Sequence, residues 1–494
     1  MGIVIKQSFN NILIIFLAFA IGGVNAIFLY TRFLKEEYYG LVIYILSASN
    51  LLMPLTALGV QYSIIKFFSA YKDRIERDRF LTLSLLLPLF IVIPVGYFWN
   101  IIHSWIIARI PQENQIIEDY TIYIYLVAIA CAYFEIFYSW SRVQLKSVFG
   151  NVLKELWNRV VAMLLLFAVF FEFITKEEFI YYYTGFYFLR MLLMMLYAFS
   201  KYLPKFSFRL PENWKEILNY TGYIVLAGSA GAMILDIDKV MIPGKRELAQ
   251  AAYYTVAVFI GSTVEAPGRA MFQILNPLVA KALNENDSNE VKNLYKKSSI
   301  NLLAICGLFF LLINVNILQL YTVLPEKYSG GVFVVLMISA MKLFSMAAGS
   351  NQAIISNSKY YRITLPLGLG MAFSVYYLND ILINNIGIIG AALSTLIVVI
   401  VFTIIKVLFI QKKLNIHPFS NKTWQMLLII LALFFPFYFW NLSIPSITLF
   451  DLPVAPIISI ILKSILLTII YLFLVVKLNI SEQLTGIVNR YLKF

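Results

Sequence analysis

Charged side chains are scarce in this 494-residue sequence, at 13% of residues, where a soluble domain carries about 25%. The deficit excludes an ordinary water-covered surface. Cysteine and histidine are rarer still, with two of each. Cys131 and Cys306 stand in separate apolar runs and form, with His103 and His417, no metal or disulfide spacing. Both thiols therefore read as packing residues, and neither a metal nor another cofactor is expected. Enzymatic signatures are missing as well: there is no G-x-x-x-x-G-K-[ST] phosphate loop, no H-E-x-x-H and no G-x-S-x-G elbow. No connector exceeds a few tens of residues, too short for a soluble catalytic domain.

Hydrophobic residues dominate instead, at 61% with a mean hydropathy of +0.81. The apolar runs approach the roughly 20 residues that a helix needs to cross a ~30 Å hydrocarbon layer. Strand alternation is absent, so helices rather than a barrel must satisfy the backbone. Breaks in hydropathy predict spans near 11–30, 41–61, 80–102, 120–139, 157–175 and 178–200, then 217–242, 251–275, 299–320, 331–350, 364–383 and 387–411, and finally 423–442 and 455–477. The expectation is an all-α integral membrane protein of about 14 transmembrane helices. It divides into a six-helix bundle over 1–200, a connector over 201–216, a second six-helix bundle over 217–411, and two further helices with a tail over 412–494. The triplet Ala18-Phe19-Ala20 mimics a signal-peptidase site, but the apolar run continues to Tyr30 and reads as an uncleaved first helix.

The net charge of +13 does not imply nucleic acid, because the basic residues are spread among short loops rather than gathered on one face. Topology accounts for it. Of 39 Lys and Arg, 26 fall in one alternate set of connectors and tails, seven in the other set, and six within spans. That bias is the positive-inside signature, and it predicts cytoplasmic termini.

The six intramembrane cations are Arg190, Lys239, Arg269, Lys342, Lys406 and Lys463. Lys406 and Lys239 lie near opposite ends of their spans and can snorkel to water. Lys463, in the last helix, suits packing or snorkelling. Lys342 falls near the midplane, where a cation costs about 2.5–3.5 kcal/mol on insertion scales and must face protein or water. Arg269 follows Glu265 by four residues, which stacks the two on one helix face, and Pro267 between them is expected to bend the helix. Asp236 and Lys239 are likewise neighbours at spacing three, whereas Asp238 points roughly 100° away from Lys239 and is left over. Two readings stay open for these pairs: neutralised partners that join helices, or parts of a polar site. Arg190 and Lys342 have no acid at helical spacing.

A cavity with several cations suits an anionic ligand, since phosphate leaving water needs paired, hydrogen-bonded counter-charges. Arg190 and Arg269 would supply forks and Lys342 a point charge, which makes these three the expected substrate-binding residues. Asp236, Asp238, Lys239 and Glu265 are the expected coupling or counter-ion residues. Tyr181, Tyr182, Tyr183 and Tyr187 can pack on sugar rings, but an interfacial aromatic belt explains the same residues more simply. Small residues at spacing four, Gly22 with Ala26 and Gly228 with Ala232, allow close helix approach.

Four segments, taken in order, resemble the Wzx-type polysaccharide flippases of the multidrug/oligosaccharidyl-lipid/polysaccharide exporter superfamily. They are Lys6-Gln7-Ser8 through Asn11, FLKEEYYG at 33–40, Asp238-Lys239 with GKRELAQAAYY at 244–254, and GIIGAA at 387–392. The segments 33–44 and 242–256 also echo one another, as in a duplicated transporter. The resemblance implies a multidrug-exporter-like fold, an alternating-access cycle, and a polyprenyl-diphosphate-linked oligosaccharide as substrate. It further implies a bacterial inner membrane, a role in surface polysaccharide such as lipopolysaccharide O-antigen, H+ or Na+ as coupling ions, and a polysaccharide polymerase and chain-length proteins as partners. Asp238 matches an acidic position common in that family. Helix one lacks the carboxylate of many proton-coupled drug exporters.

The expected function is thus a flippase that carries a lipid-linked oligosaccharide outward, with membrane lipids as surroundings and no nucleic-acid partner. An inside-negative potential worth ~2.3 kcal/mol per charge per 100 mV would favour outward movement of a doubly anionic head without ATP. A cation-coupled drug exporter is the first alternative. A membrane-embedded polymerase or glycosyltransferase is the second, disfavoured by the short outward connectors.

Overall fold

The computed structural model describes residues 2–144, 146–440, 448–449, 452–483 and 485–486. Arg490 and Lys493, two of the tail cations in the charge count, lie outside the described residues, as do the side chains of Lys6, Gln7, Ser8 and Asn11.

Every apolar run read from the sequence is largely helical. The helices are α1 (Gly2–Val24), α2 (Glu36–Thr56), α3 (Val60–Phe67), α4 (Arg74–Leu86), α5 (Leu89–Tyr97), α6 (Trp99–Ile107), α7 (Ile117–Arg142), α8 (Asn158–Phe170), α9 (Lys176–Lys201), α10 (Trp214–Met241), α11 (Ala249–Ser262), α12 (Ala266–Asn284), α13 (Ser288–Val315), α14 (Val332–Ala347), α15 (Asn351–Asn357), α16 (Thr364–Leu414), α17 (Asn421–Phe439) and α18 (Val454–Lys477). Among the described residues, ten helical stretches are long and apolar enough to cross a membrane, and one of these, over 361–414, runs 54 residues. At Ile386 and Gly387 that stretch leaves helical geometry, with Gly387 at φ 60°, ψ −137°. Only glycine enters that region readily, so the residue that opens GIIGAA is also the one that divides the rod. The protein is a multi-pass helical membrane protein.

Local chemistry sets the boundaries. Thr175 begins α9 with a capping box: its hydroxyl accepts from the Glu178 amide at 3.1 Å while its own amide donates to the Glu178 carboxylate at 2.7 Å. Asp287 caps α13 by accepting from the Glu290 amide at 2.9 Å. The span expected over 80–102 overlaps a membrane-length stretch over 74–97, with local breaks in the helix at Leu87-Pro88 and at Phe98. Pro88 has no N–H to continue the ladder.

The chain forms two compact units, 1–255 and 256–494. In the first, α7 packs against α2 and α9, and α10 against α2 and α3. The stretch 217–242, which the sequence groups with the later helices, thus packs among the earlier ones. A core of Phe80, Phe134, Phe137, Trp140 and Met194 fills this unit. Gly22 of the small-residue pairs faces the Arg159 side chain, and a Cβ at Gly228 would lie 3.6 Å from the Tyr62 ring. The side chain of Ala232 lies outside the described residues.

In the second unit, α13 is central and contacts α12, α14 and α17, with Leu302, Leu311, Met426 and Leu467 fully buried around it. Lys463 is fully buried on α18, its ammonium donating to the Phe437 carbonyl at 3.5 Å, so it packs rather than snorkels. Lys406 donates to the Gln352 side-chain oxygen at 3.0 Å.

Candidate functional site

The second unit gathers charge where α11 gives way to α12. One turn of 3-10 helix, Thr263–Glu265, joins them. Pro267 occupies the first turn of α12, where its missing N–H breaks no intrahelical bond, so the break lies just before the proline rather than at a bend around it. Gly268 then lets α12 close on its neighbours. A Cβ there would meet the Met346 sulfur at 2.5 Å and the Leu302 side chain at 3.4 Å. Met346 is one helical turn beyond Lys342, and this tight contact brings Lys342 of α14 to the start of α12.

Glu265 is the hub. Arg269 Nε donates to Glu265 Oε1 at 2.9 Å and a second guanidinium nitrogen reaches the same oxygen, while Lys342 Nζ lies 2.8 Å from Oε2. One carboxylate thus holds two cationic side chains, a formal charge of +1. The Glu265 and Lys342 side chains are mostly buried, at 14% and 17% exposure, whereas Arg269 is 49% exposed. Arg269 is thus the accessible cation of the cluster and Lys342 the buried one. The local spacing read Glu265 with Arg269 as a pair; the Lys342 contact, made between helices, left no trace in it.

Arg190 is held differently. It sits on α9 in the first unit at 5% exposure, with its guanidinium 4.2 Å from the Phe134 ring centre and 4.8 Å from that of Tyr187. One nitrogen donates to the Cys131 sulfur at 3.4 Å, and Nε has no hydrogen-bond partner. Among the described residues it has no carboxylate partner. The acid on that side of α7, Glu135, pairs instead with Lys154 at 2.6 Å. The cage therefore rests on the negative faces of two aromatic rings. Tyr183 and Tyr187 are part of this buried core, whereas Tyr181 and Tyr182 are exposed and Tyr181 stacks with Tyr120 and Tyr123. The four tyrosines thus divide between core and surface.

The remaining acids lie in a polar knot of the first unit. Asp236 accepts from Lys239 at 2.7 Å, from the Asn50 amide at 3.2 Å and from the Ser47 hydroxyl at 3.4 Å, joining α10 to α2. Asp238, left over by helical spacing, is buried and accepts a hydrogen bond from the Tyr254 hydroxyl. The structure thus brings Glu265, Arg269 and Lys342 together and pairs Asp236 with Lys239. Arg190 stands in its own surroundings.

Asn114 and Gly40 act near this knot, and helical spacing pointed to neither. Asn114 grips the turn after α10: its amide nitrogen donates to the Pro243 and Arg246 carbonyls at 2.6 and 2.8 Å, and its oxygen accepts from the Leu248 amide at 2.7 Å. Gly40 touches the same turn, since a Cβ there would fall 2.2 Å from the Leu248 carbonyl oxygen. The FLKEEYYG and GKRELAQAAYY segments therefore meet. The signal available was the glycine that ends the first motif.

Comparison with known proteins agrees with this architecture. A family model described as polysaccharide biosynthesis protein matches residues 4–266. No curated protein sequence matches the chain. Among solved structures, the lipid II flippase MurJ in an inward closed conformation aligns with a TM-score of 0.67 at 14% identity, covering 93% of this chain and 97% of that one. An inward-facing multidrug resistance MATE transporter of the MOP superfamily aligns at 0.62 and 13% identity, covering 81% and 94%. A MOP superfamily transporter from Pyrococcus furiosus, described by the reverse polarity of its binding pocket, aligns at 0.56 and 12% identity, covering 84% and 95%. At these identities the likeness establishes the fold.

Proposed function

We propose that this chain, which belongs to the polysaccharide biosynthesis protein family, flips a polyprenyl-diphosphate-linked oligosaccharide from the cytoplasmic to the outer leaflet of a bacterial inner membrane by alternating access. The observation that carries the reading is the Glu265 cluster, two cations kept on one carboxylate inside a membrane protein. A solitary structural ion pair would need one cation. The second leaves a surplus positive charge, which costs free energy in a poorly solvated place unless an anion is expected there. Fold similarity to a lipid II flippase supports the same reading.

In this mechanism Glu265 keeps the place of the phosphate while the site is empty. It holds Arg269 and Lys342 apart and oriented, so that a diphosphate head exchanges for the carboxylate without building a site anew. The arginine offers a planar fork and the lysine a compact charge. The glycan remains in water and the polyprenyl tail in lipid. Arg190, held between the Phe134 and Tyr187 rings, stays outside this exchange. Asp236, Asp238 and Lys239 serve as mutual counter-ions and structural ties. The distribution of Lys and Arg supports cytoplasmic termini in this reading.

A cation-coupled exporter of amphipathic drugs fits less well where its cargo is cationic, because a site with a formal charge of +1 repels a cation. The test is to replace Arg269 and Lys342 by Ala, separately, and to measure surface polysaccharide at matched protein level in a host lacking its own flippase. A loss of about tenfold or more in each is expected, equivalent to about 1.4 kcal/mol of lost binding or barrier lowering. Wild-type amounts of polysaccharide in both would remove the site.

A further inference from the structure

The second unit contains an apolar trench of about 630 Å³ that none of Glu265, Arg269 and Lys342 lines. Its walls come from four helices, with Leu303 and Phe310 on α13, Ala340 on α14, Leu408 on α16 and Leu427 on α17. A void of this size and character inside a soluble core would be costly. In a membrane protein it is open to hydrocarbon chains.

The trench has a depth and a direction. Along α16 it is lined from Thr403 to Gln411, a rise of ~12 Å, close to half of a ~30 Å hydrocarbon layer. Its length is therefore that of one leaflet. At the Gln411 end the lining turns polar, with His417 beside it. The apolar stripes of the walls continue there into lysines. Ile404 and Leu408 are followed on the same helix face by Lys412, and Leu303 is preceded two turns earlier, on its own face, by Lys296. Lys412 is exposed and Lys296 half-buried. Trp424, 65% exposed, stands at the same end, where an indole anchors at the membrane–water boundary.

We propose that the trench binds one anionic phospholipid of the cytoplasmic leaflet. An acyl chain lies between α13, α14, α16 and α17, and the phosphate sits among Lys296, Lys412 and His417. Basic pockets between membrane helices on the cytoplasmic side recognise anionic head groups in this manner. The one-leaflet depth favours an acyl chain over a polyprenyl tail, which is much longer than the trench. The site is independent of the flippase reading, since it uses no residue of the Glu265 cluster.

The test uses the full chain, purified in detergent and incubated with mixed micelles of phosphatidylglycerol or phosphatidylcholine, with native mass spectrometry and thermal unfolding as readouts. One phosphatidylglycerol retained per chain is expected, with a rise in Tm that phosphatidylcholine does not give. The double change Lys296→Gln and Lys412→Gln should lower retention by about fivefold or more, with Tm in phosphatidylcholine unchanged. Leu408→Trp, which fills the trench, should lower retention as well; if that variant does not fold, the lysine pair, which leaves the walls intact, decides alone. Equal retention of phosphatidylcholine, or phosphatidylglycerol retention unaffected by the lysine changes, overturns the proposal. So does displacement of phosphatidylglycerol by an equal concentration of polyprenyl phosphate, which would assign the trench to the tail of the transported lipid.

Discussion

The two units keep their buried cations by opposite means. In the first, Arg190 lies between the Phe134 and Tyr187 rings and against a sulfur, with no carboxylate partner among the described residues. In the second, Arg269 and Lys342 share the carboxylate of Glu265. Rings are polarisable, fixed in place and carry no net charge, so they cannot be exchanged for a ligand. A carboxylate is itself an oxyanion, and another oxyanion can take its position. The contrast separates a pair of cations held by a carboxylate in the second unit from a cation packed between rings in the first.

The largest effect should come from Glu265→Ala, which leaves two cations without their acid. Breaking such a cluster costs about 3–5 kcal/mol of stability, visible as a fall in Tm. Adding Lys342→Met should recover part of the loss, because one stranded charge is then gone. No recovery would mean that Glu265 matters for packing and not for charge. Next in size is Asn114→Ala, which strands three backbone groups of the turn at 243–248. A loss of about 2–3 kcal/mol is expected, read by thermal unfolding. A change below about 0.5 kcal/mol would show that water replaces the side chain.

A smaller change is expected for Arg190→Lys. An ammonium cannot stack between two rings as a guanidinium does, and about 1–2 kcal/mol should be lost. If instead Arg190→Lys leaves stability intact and abolishes transport at matched protein level, Arg190 handles substrate and the contrast between the units fails. The smallest effect belongs to Tyr181→Ala, at an exposed stacked ring, with about 0.5–1 kcal/mol of stability lost and polysaccharide output retained.

Much of the fold was legible because hydropathy is a local property. Long apolar runs specify helices whatever surrounds them, and Gly387 marked the division of α16 in advance. The span near 80–102 overlaps a membrane-length apolar stretch over 74–97, and the local break at Leu87-Pro88 comes from a missing N–H that hydropathy does not register. Contacts between distant helices were not legible. Helical spacing found Glu265 with Arg269 and Asp236 with Lys239, because those partners are three or four residues apart on one helix. It could not find Lys342 on Glu265, the rings around Arg190, or Asn114 on its turn, all of which depend on which helices pack together. The Met346–Gly268 contact that delivers Lys342 to its acid is such a case.

The most direct measurement is diphosphate binding to the purified chain, wild type against Glu265→Gln, by calorimetry at low salt. Neutralising the internal oxyanion leaves the amide able to hydrogen-bond and frees both cations. The account predicts binding tighter by about tenfold, or about 1.4 kcal/mol, in a variant whose thermal unfolding remains cooperative. Unchanged or weaker binding by the folded variant would show that Glu265 does not hold the place of a phosphate.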